Sequence, residues 1–438
     1  MNTEHKQICT AGFARLDITP PLGTAIGGYF VERRTKGVLD PLYVNAVALG
    51  CGEKSAVLMT CDLLNMRGKV GFEWPERLAA DLGLEPGSVL IHCTHTHTSP
   101  VVGPNYDNND PMYDDWLYRR LHDAAQMAMD DRKPVTDVQW AEGEVPGQAF
   151  VRRYYMKDGS VVTNPKNADP NIDRPTCDTD DSLRLVRILR EGGREIALVN
   201  FQNHPDCIGG EFISGDWPGQ ARRSLESERD VHAVLLNGTQ GNLNANNKFL
   251  PKIPASHAKA MELGDELGKK AAALFDRTVP TGMTGLAYSR GSVELKTKRD
   301  PAKVPEAQRI VDLFEAGRTE EIHPTLKMAN YLYCQANHLC RLERDKMDYM
   351  HVPVSALSFC GLGIAGFPGE PFCNVGKQVR AASPFPVTFA CCLTNGALVY
   401  FPMAEDYDLG GYEVYNSPLV QGSTEIMTDL AKQLLAEL

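Results

Sequence analysis

The sequence predicts an α/β protein, and two observations carry that expectation. Strand-like runs recur from one end of the 438-residue chain to the other, and helical patterns sit between them. The strand-like runs cover residues 13–18, 43–49, 56–60, 89–93, 138–141, 183–189, 196–201, 231–236, 356–359 and 387–390. Most are rich in Val, Leu and Ile without clean alternation, which predicts strands buried on both faces.

The helical patterns follow in order. Residues 74–82 are short and amphipathic, 112–129 are long and mixed in charge, and 218–226 follow a Gly-Asp-Trp-Pro turn. Residues 256–275 are rich in Ala and Lys, with Ser256 placed to cap the helix. Residues 305–316, 325–344, 371–382 and 424–438 complete the set. Residues 154–180 and 242–254 read as loops. No internal repeat, low-complexity tract or linker breaks the pattern, so residues 1–438 are expected to form one large catalytic unit.

Composition narrows the function. The formal net charge is −11, which argues against a nucleic-acid partner because phosphate binding needs a positive face. No apolar run approaches the length of a membrane span. The opening residues 1–10 are polar and lack the apolar stretch of a signal peptide, so a cytoplasmic protein is expected. The 12 Cys are scattered, several within apolar runs, and read as reduced, buried thiols. The oligomeric state is left open.

The sharpest local feature is Thr94-His95-Thr96-His97, directly after the run 89–93. Residues i and i+2 of extended chain face one side, so His95 and His97 are expected to point into one space. Neutral imidazole is a zinc ligand and also the usual acid or base near pH 7. His92 is expected to face away and to be structural. A second histidine, His204, ends the run 196–201, where Pro205 stops the strand. Glu370 lies where an apolar run gives way to a helix, and Asp216 opens another helix. Tyr400 and Tyr412 flank an acidic segment. His257 and His338 fall within helical patterns and read as core or surface residues. The chain has no GxSxG elbow, no P-loop and no CxxC pair. The GxGxxG match at 361–366 is followed at once by Pro368 and Pro371, which do not suit a dinucleotide-binding helix.

Taken in order, these segments resemble the neutral/alkaline, non-lysosomal ceramidase family. The resemblance runs through residues 11–20 (AGFARLDITP), Gly27-Gly28-Tyr29, Leu39-Asp40-Pro41-Leu42-Tyr43, Cys61-Asp62-Leu63 and 94–97. It continues at His204, Asp216, Pro368-Gly369-Glu370 and 400–413. It implies two packed mixed β-sheets flanked by helices, and a catalytic zinc held by His95, His204, Glu370 and Tyr400. It further implies His97 as the acid/base group and Tyr412 as the residue that polarises the scissile carbonyl. Arg152 would meet the substrate, and Gly28 would lie against it. The family's Gly-Asp-x-Ser-Pro-Asn loop reads Gln240-Gly241-Asn242-Leu243-Asn244-Ala245 here, so Asn242 and Asn244 replace its Asp and Ser, with Asn244 expected among the catalytic residues and Asn242 against the substrate.

The resemblance covers the catalytic domain without the family's C-terminal β-domain. The expectation is therefore a zinc-dependent hydrolase of the C–N bond of a small, soluble N-acyl molecule, with loop 154–180 shaping its pocket. Hydrolysis of an ester or sugar derivative is the alternative, and a non-catalytic, metal-containing ligand-binding relative is the third reading.

Overall fold

The computed structural model describes residues 8–104 and 108–438. Most of the polar opening segment therefore lies outside the described residues.

Two sheets form the centre of the fold. The larger contains β1 (Cys9–Asp17), β2 (Tyr43–Cys51), β3 (Lys54–Cys61), β4 (Val89–Cys93), β5 (Lys133–Glu144), β6 (Ser182–Arg190), β7 (Glu195–Phe201) and β8 (Val231–Asn237). Their order is β8-β7-β6-β5-β1-β2-β3-β4, with Val279–Pro280 added beside β5. Only β3–β4 and β7–β8 are parallel among the eight. The smaller sheet runs β9 (Leu286–Lys296), β10 (Tyr349–Phe359), β11 (Leu362–Gly366) and β12 (Val387–Cys391), with β11–β12 parallel. Both sheets are thus mixed, as expected.

The sheets pack on one another through Val47, Leu49, Leu58, Leu90, Ile188 and Leu236 of the larger and Leu357, Phe359, Ile364 and Phe389 of the smaller. The outer face of the larger sheet is covered by α1 (Lys69–Asp81) and α2 (Pro111–Asp130) on one half. On the other half α3 (Asp216–Glu228) and α4 (His257–Leu274) cover it. Strand β2 shows why its sequence does not alternate. Val44, Ala46 and Ala48 face the helices while Val47 and Leu49 face the second sheet, so both sides are apolar.

The helices also follow the sequence. The Ser256 hydroxyl accepts from Lys259 N at 3.2 Å and caps α4. Next come α5 (Val304–Glu315), α6 (Leu326–Arg344), α7 (Cys373–Ala382), the short α8 (Tyr412–Tyr415) and α9 (Ser423–Ala436). Helices α7 and α9 cover the outer face of the smaller sheet. The α5–α6 hairpin has its own small core of Ala307, Val311 and Ala336. The GxGxxG stretch is largely strand β11, so it is no phosphate loop.

Three expectations are corrected. Residues 154–180 are not a plain loop: Arg153–Met156 pairs with Val161–Thr163 and with Ile172–Pro175 in a small antiparallel sheet. Strand β9 was hidden in a polar stretch, and its full-length pairing with β10 makes it a strand. The cysteines are not all reduced. The β1–β2 register sets Cys9 opposite Cys51, and the two form a disulfide, while the other ten are free.

Strand β8 reaches across to the first half of the large sheet. Arg15 on β1 donates to the Ala233 carbonyl at 2.9 Å, and His232 stacks on Phe13 with ring centroids 4.2 Å apart. Burial, followed by the charges of Arg194 and Arg190, pushes the His232 imidazole down to about 4. The unfolded chain therefore takes up this proton near pH 6.5, before the folded protein does. Stability contributed by neutral His232 is present above pH 6.5 and is lost as pH falls toward 4. Thermal unfolding from pH 7 to 4 is expected to show a falling midpoint that is shallower in His232→Phe. The residue's partial contact with water limits the effect to about 2 kcal/mol. An identical pH slope in the variant would refute this.

Candidate functional site

The site forms where strand ends converge. Chain leaving β4 carries His95 and His97, chain leaving β7 carries His204, and chain leaving β8 carries Gln240 to Asn244. Two buried residues join these ends. His92 donates from Nδ1 to the Cys392 carbonyl at 2.8 Å and accepts from Asn237 N through Nε2 at 2.9 Å. Asn237 Nδ2 then donates to the Thr94 and Asn203 carbonyls, both at 3.0 Å. His92 is structural, as expected from its facing.

His95, His97 and His204 bring their ring nitrogens within 4.8 Å of one another. His95 sits at φ +74°, in the left-handed region, and its Nδ1 donates to the Leu64 carbonyl at 2.9 Å. His204 does the same to the Gln240 carbonyl at 3.1 Å. Both therefore turn Nε2 toward the centre, where a terminal nitrogen of Arg152 also stands 3.4 Å from that of His204. Glu370 completes the group, with Oε2 3.3 Å from His95 Nε2 and 3.2 Å from His204 Nε2.

His97 is different. Its Nε2 is 3.4 Å from His95 Nε2, but its buried Nδ1 has no hydrogen-bond partner among the described residues. The space behind it is left by Gly28, at φ +100°, where an added Cβ would lie 2.6 Å from Nδ1. Burial, then His95 and His204, hold the His97 imidazole well below its ordinary value, so it is neutral at pH 7.

Tyr400 reaches the group through a two-residue parallel bridge, Glu370–Pro371 beside Tyr400–Phe401. Burial and the Glu370 charge push its phenol up. Arg152 lies behind, donating from Nε to Glu413 Oε1 and from a terminal nitrogen to the Gly241 carbonyl, both at 2.7 Å. Its guanidinium stands 5.3 Å from the Tyr400 ring centroid and 5.8 Å from that of Tyr412. Tyr412 stands 5.6 Å from Tyr400, ring to ring. Phe30 and Tyr331 pack on the outer side of Tyr412.

The two asparagines of the 240–245 loop are engaged elsewhere. Asn242 is buried and accepts from Cys373 N at 2.9 Å, while its amide nitrogen faces the sulfurs of Cys177 and Cys373. Asn244 donates to Asn164 Oδ1 at 2.7 Å and accepts from Asn246 N. Asp216 is also outside the group. At φ +53° it starts α3, and its carboxylate accepts from Trp217 N and Cys207 N.

The structure therefore gathers His95, His97, His204, Glu370, Tyr400, Arg152 and Tyr412. Sequence reasoning gave Glu413 no role, although it accepts from both Arg152 and Arg153 inside the protein. The signal available was Arg152-Arg153 itself, since two buried guanidinium groups need a buried acid.

Fold and site together define a two-sheet α/β protein with a buried centre of three histidines and one carboxylate. Two solved structures are similar to it. One is the crystal structure of neutral ceramidase from Pseudomonas aeruginosa, with TM-score 0.72 and 17% identity over 99% of this chain and 75% of the other. The other is a ceramidase complexed with C2, with TM-score 0.71 and 16% identity over 98% of this chain and 75% of the other. No family model and no curated protein matches the sequence. The chain has the neutral ceramidase fold.

Proposed function

We propose that this protein is a zinc-dependent hydrolase that cleaves the C–N amide bond of a small N-acyl compound. One contrast carries the reading. His95 and His204 each spend Nδ1 on a backbone carbonyl and turn Nε2 inward, whereas His97 has no such partner. The first arrangement is how metal-binding histidines are oriented and held in one tautomer. The second leaves a neutral imidazole with a free nitrogen beside the centre.

Two histidines with a carboxylate form a known catalytic zinc set, and Tyr400 is the fourth proposed ligand. Held there, zinc would supply Lewis-acid polarisation of a carbonyl and activate water at neutral pH. His97 accepts a proton and returns it to the departing amine. Tyr412 donates a hydrogen bond to the scissile carbonyl oxygen, and Arg152 lends positive charge beside it. Gly28 keeps the space that His97 occupies and borders the substrate. Asn242 holds its loop against α7, and Asn244 sets an amide where the resembled family has a hydroxyl. Both similar structures are ceramidases, which supports the amide reading.

The test has two parts. Elemental mass spectrometry of freshly purified protein, before any metal is added, should give about one zinc per chain. The protein is then offered matched soluble amides, esters and glycosides. Amide turnover that is lost with a chelator and restored by zinc supports the reading. Turnover of esters or glycosides alone would reject it, and so would a chain that stays metal-free when zinc is supplied.

A further inference from the structure

His338 and Asn416 have no part in the mechanism above, yet they form a directed chain that ends on Tyr412. Helix α6 passes over α8. Its Tyr331 packs beside the Tyr412 ring, tilted by 39° with centroids 5.2 Å apart. Two turns further on, His338 lies on the same helix face. Its Nε2 is 2.9 Å from Asn416 Oδ1, and its Nδ1 is 3.4 Å from a terminal nitrogen of Arg341. Asn416 Nδ2 is 3.0 Å from the Tyr412 hydroxyl.

Donor and acceptor chemistry gives this chain one direction. A guanidinium can only donate, so Arg341 makes His338 Nδ1 an acceptor. Burial and the Arg341 charge push the imidazole down to about 3, so it is neutral and holds its single proton on Nε2. That proton is given to Asn416 Oδ1, which turns the amide nitrogen of Asn416 toward Tyr412. An amide nitrogen can only donate, so the Tyr412 oxygen accepts from it. The phenol's own proton is then left for a different acceptor. Rotating the Asn416 amide would set its nitrogen against the Nε2–H and leave both donors unpaired.

We infer that Arg341, His338 and Asn416 are positioning residues that hold the Tyr412 hydroxyl as a hydrogen-bond donor toward the scissile carbonyl. The inference rests on the role proposed above for Tyr412. It explains a histidine and an asparagine that neither touch the three-histidine group nor fill the core. It also gives helix α6 a task in the reaction.

The chain is tested first without substrate. Nitrogen-15 spectra of histidine-labelled protein should show His338 protonated on Nε2, and protonation on Nδ1 would overturn the inference. Kinetics follow with the N-acyl compound that the panel turns over. Asn416→Asp presents an acceptor to Tyr412 and reverses the bond. It is expected to lower kcat about 10²-fold, with KM within about threefold and zinc content unchanged. Tyr412→Phe should show a loss of the same size, and the double variant should be no slower, as expected of residues acting as one unit. His338→Gln, whose side-chain nitrogen can replace Nε2, should keep most of the rate that His338→Leu loses. Wild-type kcat in Asn416→Asp beside a damaged Tyr412→Phe would overturn the chain alone. A silent Tyr412→Phe would instead remove the catalytic role of Tyr412, and the inference with it.

Discussion

Replacing His204 with Ala is expected to remove metal and activity together, while replacing His97 with Ala removes activity and leaves the metal in place. The difference follows from what each ring is attached to. The Gln240 carbonyl at 3.1 Å fixes the His204 ring, and its Nε2 points at Glu370 Oε2 at 3.2 Å. Without that ring the centre loses an inward-facing nitrogen beside Glu370. The expected loss in kcat/KM is on the order of 10³-fold or more, because both polarisation and water activation go with the metal. His97 has no carbonyl behind Nδ1, so its removal takes away a proton carrier rather than an anchor. Its loss is expected to cost about 10²–10⁴-fold. Elemental analysis beside steady-state kinetics reads both results. Full zinc occupancy in His204→Ala would exclude it from the ligand set, and metal loss in His97→Ala would move that residue into it.

Glu413→Ala is expected to be the most destabilising single change near the site. Glu413 and Arg153 are fully buried, and Arg152 nearly so. One carboxylate serves both arginines, at 2.7 Å to Arg152 and 3.2 Å to Arg153, and accepts from the Thr163 hydroxyl at 3.0 Å. Burial opposes its charge, but the two guanidinium groups hold its pKa below the ordinary value. Truncation leaves Arg152 with the Gly241 carbonyl. Arg153 is left with the Gly410 carbonyl and with Asp406, whose own carboxyl burial pushes up to about 6. Breaking a buried pair from one side costs about 3–5 kcal/mol, since the remaining charge stays buried. Glu413→Gln retains an acceptor of the same shape and should cost less. Denaturant unfolding of both variants measures this. Wild-type stability in Glu413→Ala would show that water reaches the arginines and that the pair does not tie the Arg152-Arg153 segment to α8.

Local segments of the chain were legible because their signals are local. The run 89–93 is bounded by the same residues as β4, and Ser256 caps α4, since apolar continuity and a cap each act over a few residues. The His-Thr-His segment was legible as chemistry for the same reason. Strand β9 was not, because its eleven-residue ladder with β10 lies in a partner more than fifty residues away. The same limit hid the disulfide, which depends on the register that brings Cys9 to Cys51.

Roles at the site divide in the same way. The resemblance to the ceramidase family placed His95, His97, His204, Glu370 and Tyr400 on one list, and the fold brings them to one place. Only the family resemblance gave His95 and His97 different roles; the Thr-His-Thr-His segment itself does not distinguish them. That distinction comes from Leu64, whose carbonyl reaches one ring, and from Gly28, which backs the other without bonding to it. Likewise, Tyr412 acquires a direction only from Asn416, His338 and Arg341. By itself the sequence determined the α/β class and most strands and helices, and its resemblance to a known family nominated the residues proposed to hold a metal. The tertiary structure alone decided sheet register, the buried ion network and which nitrogen of each histidine is free. Those properties depend on atoms that meet across the fold, and a hydrogen bond's direction is set by its partner.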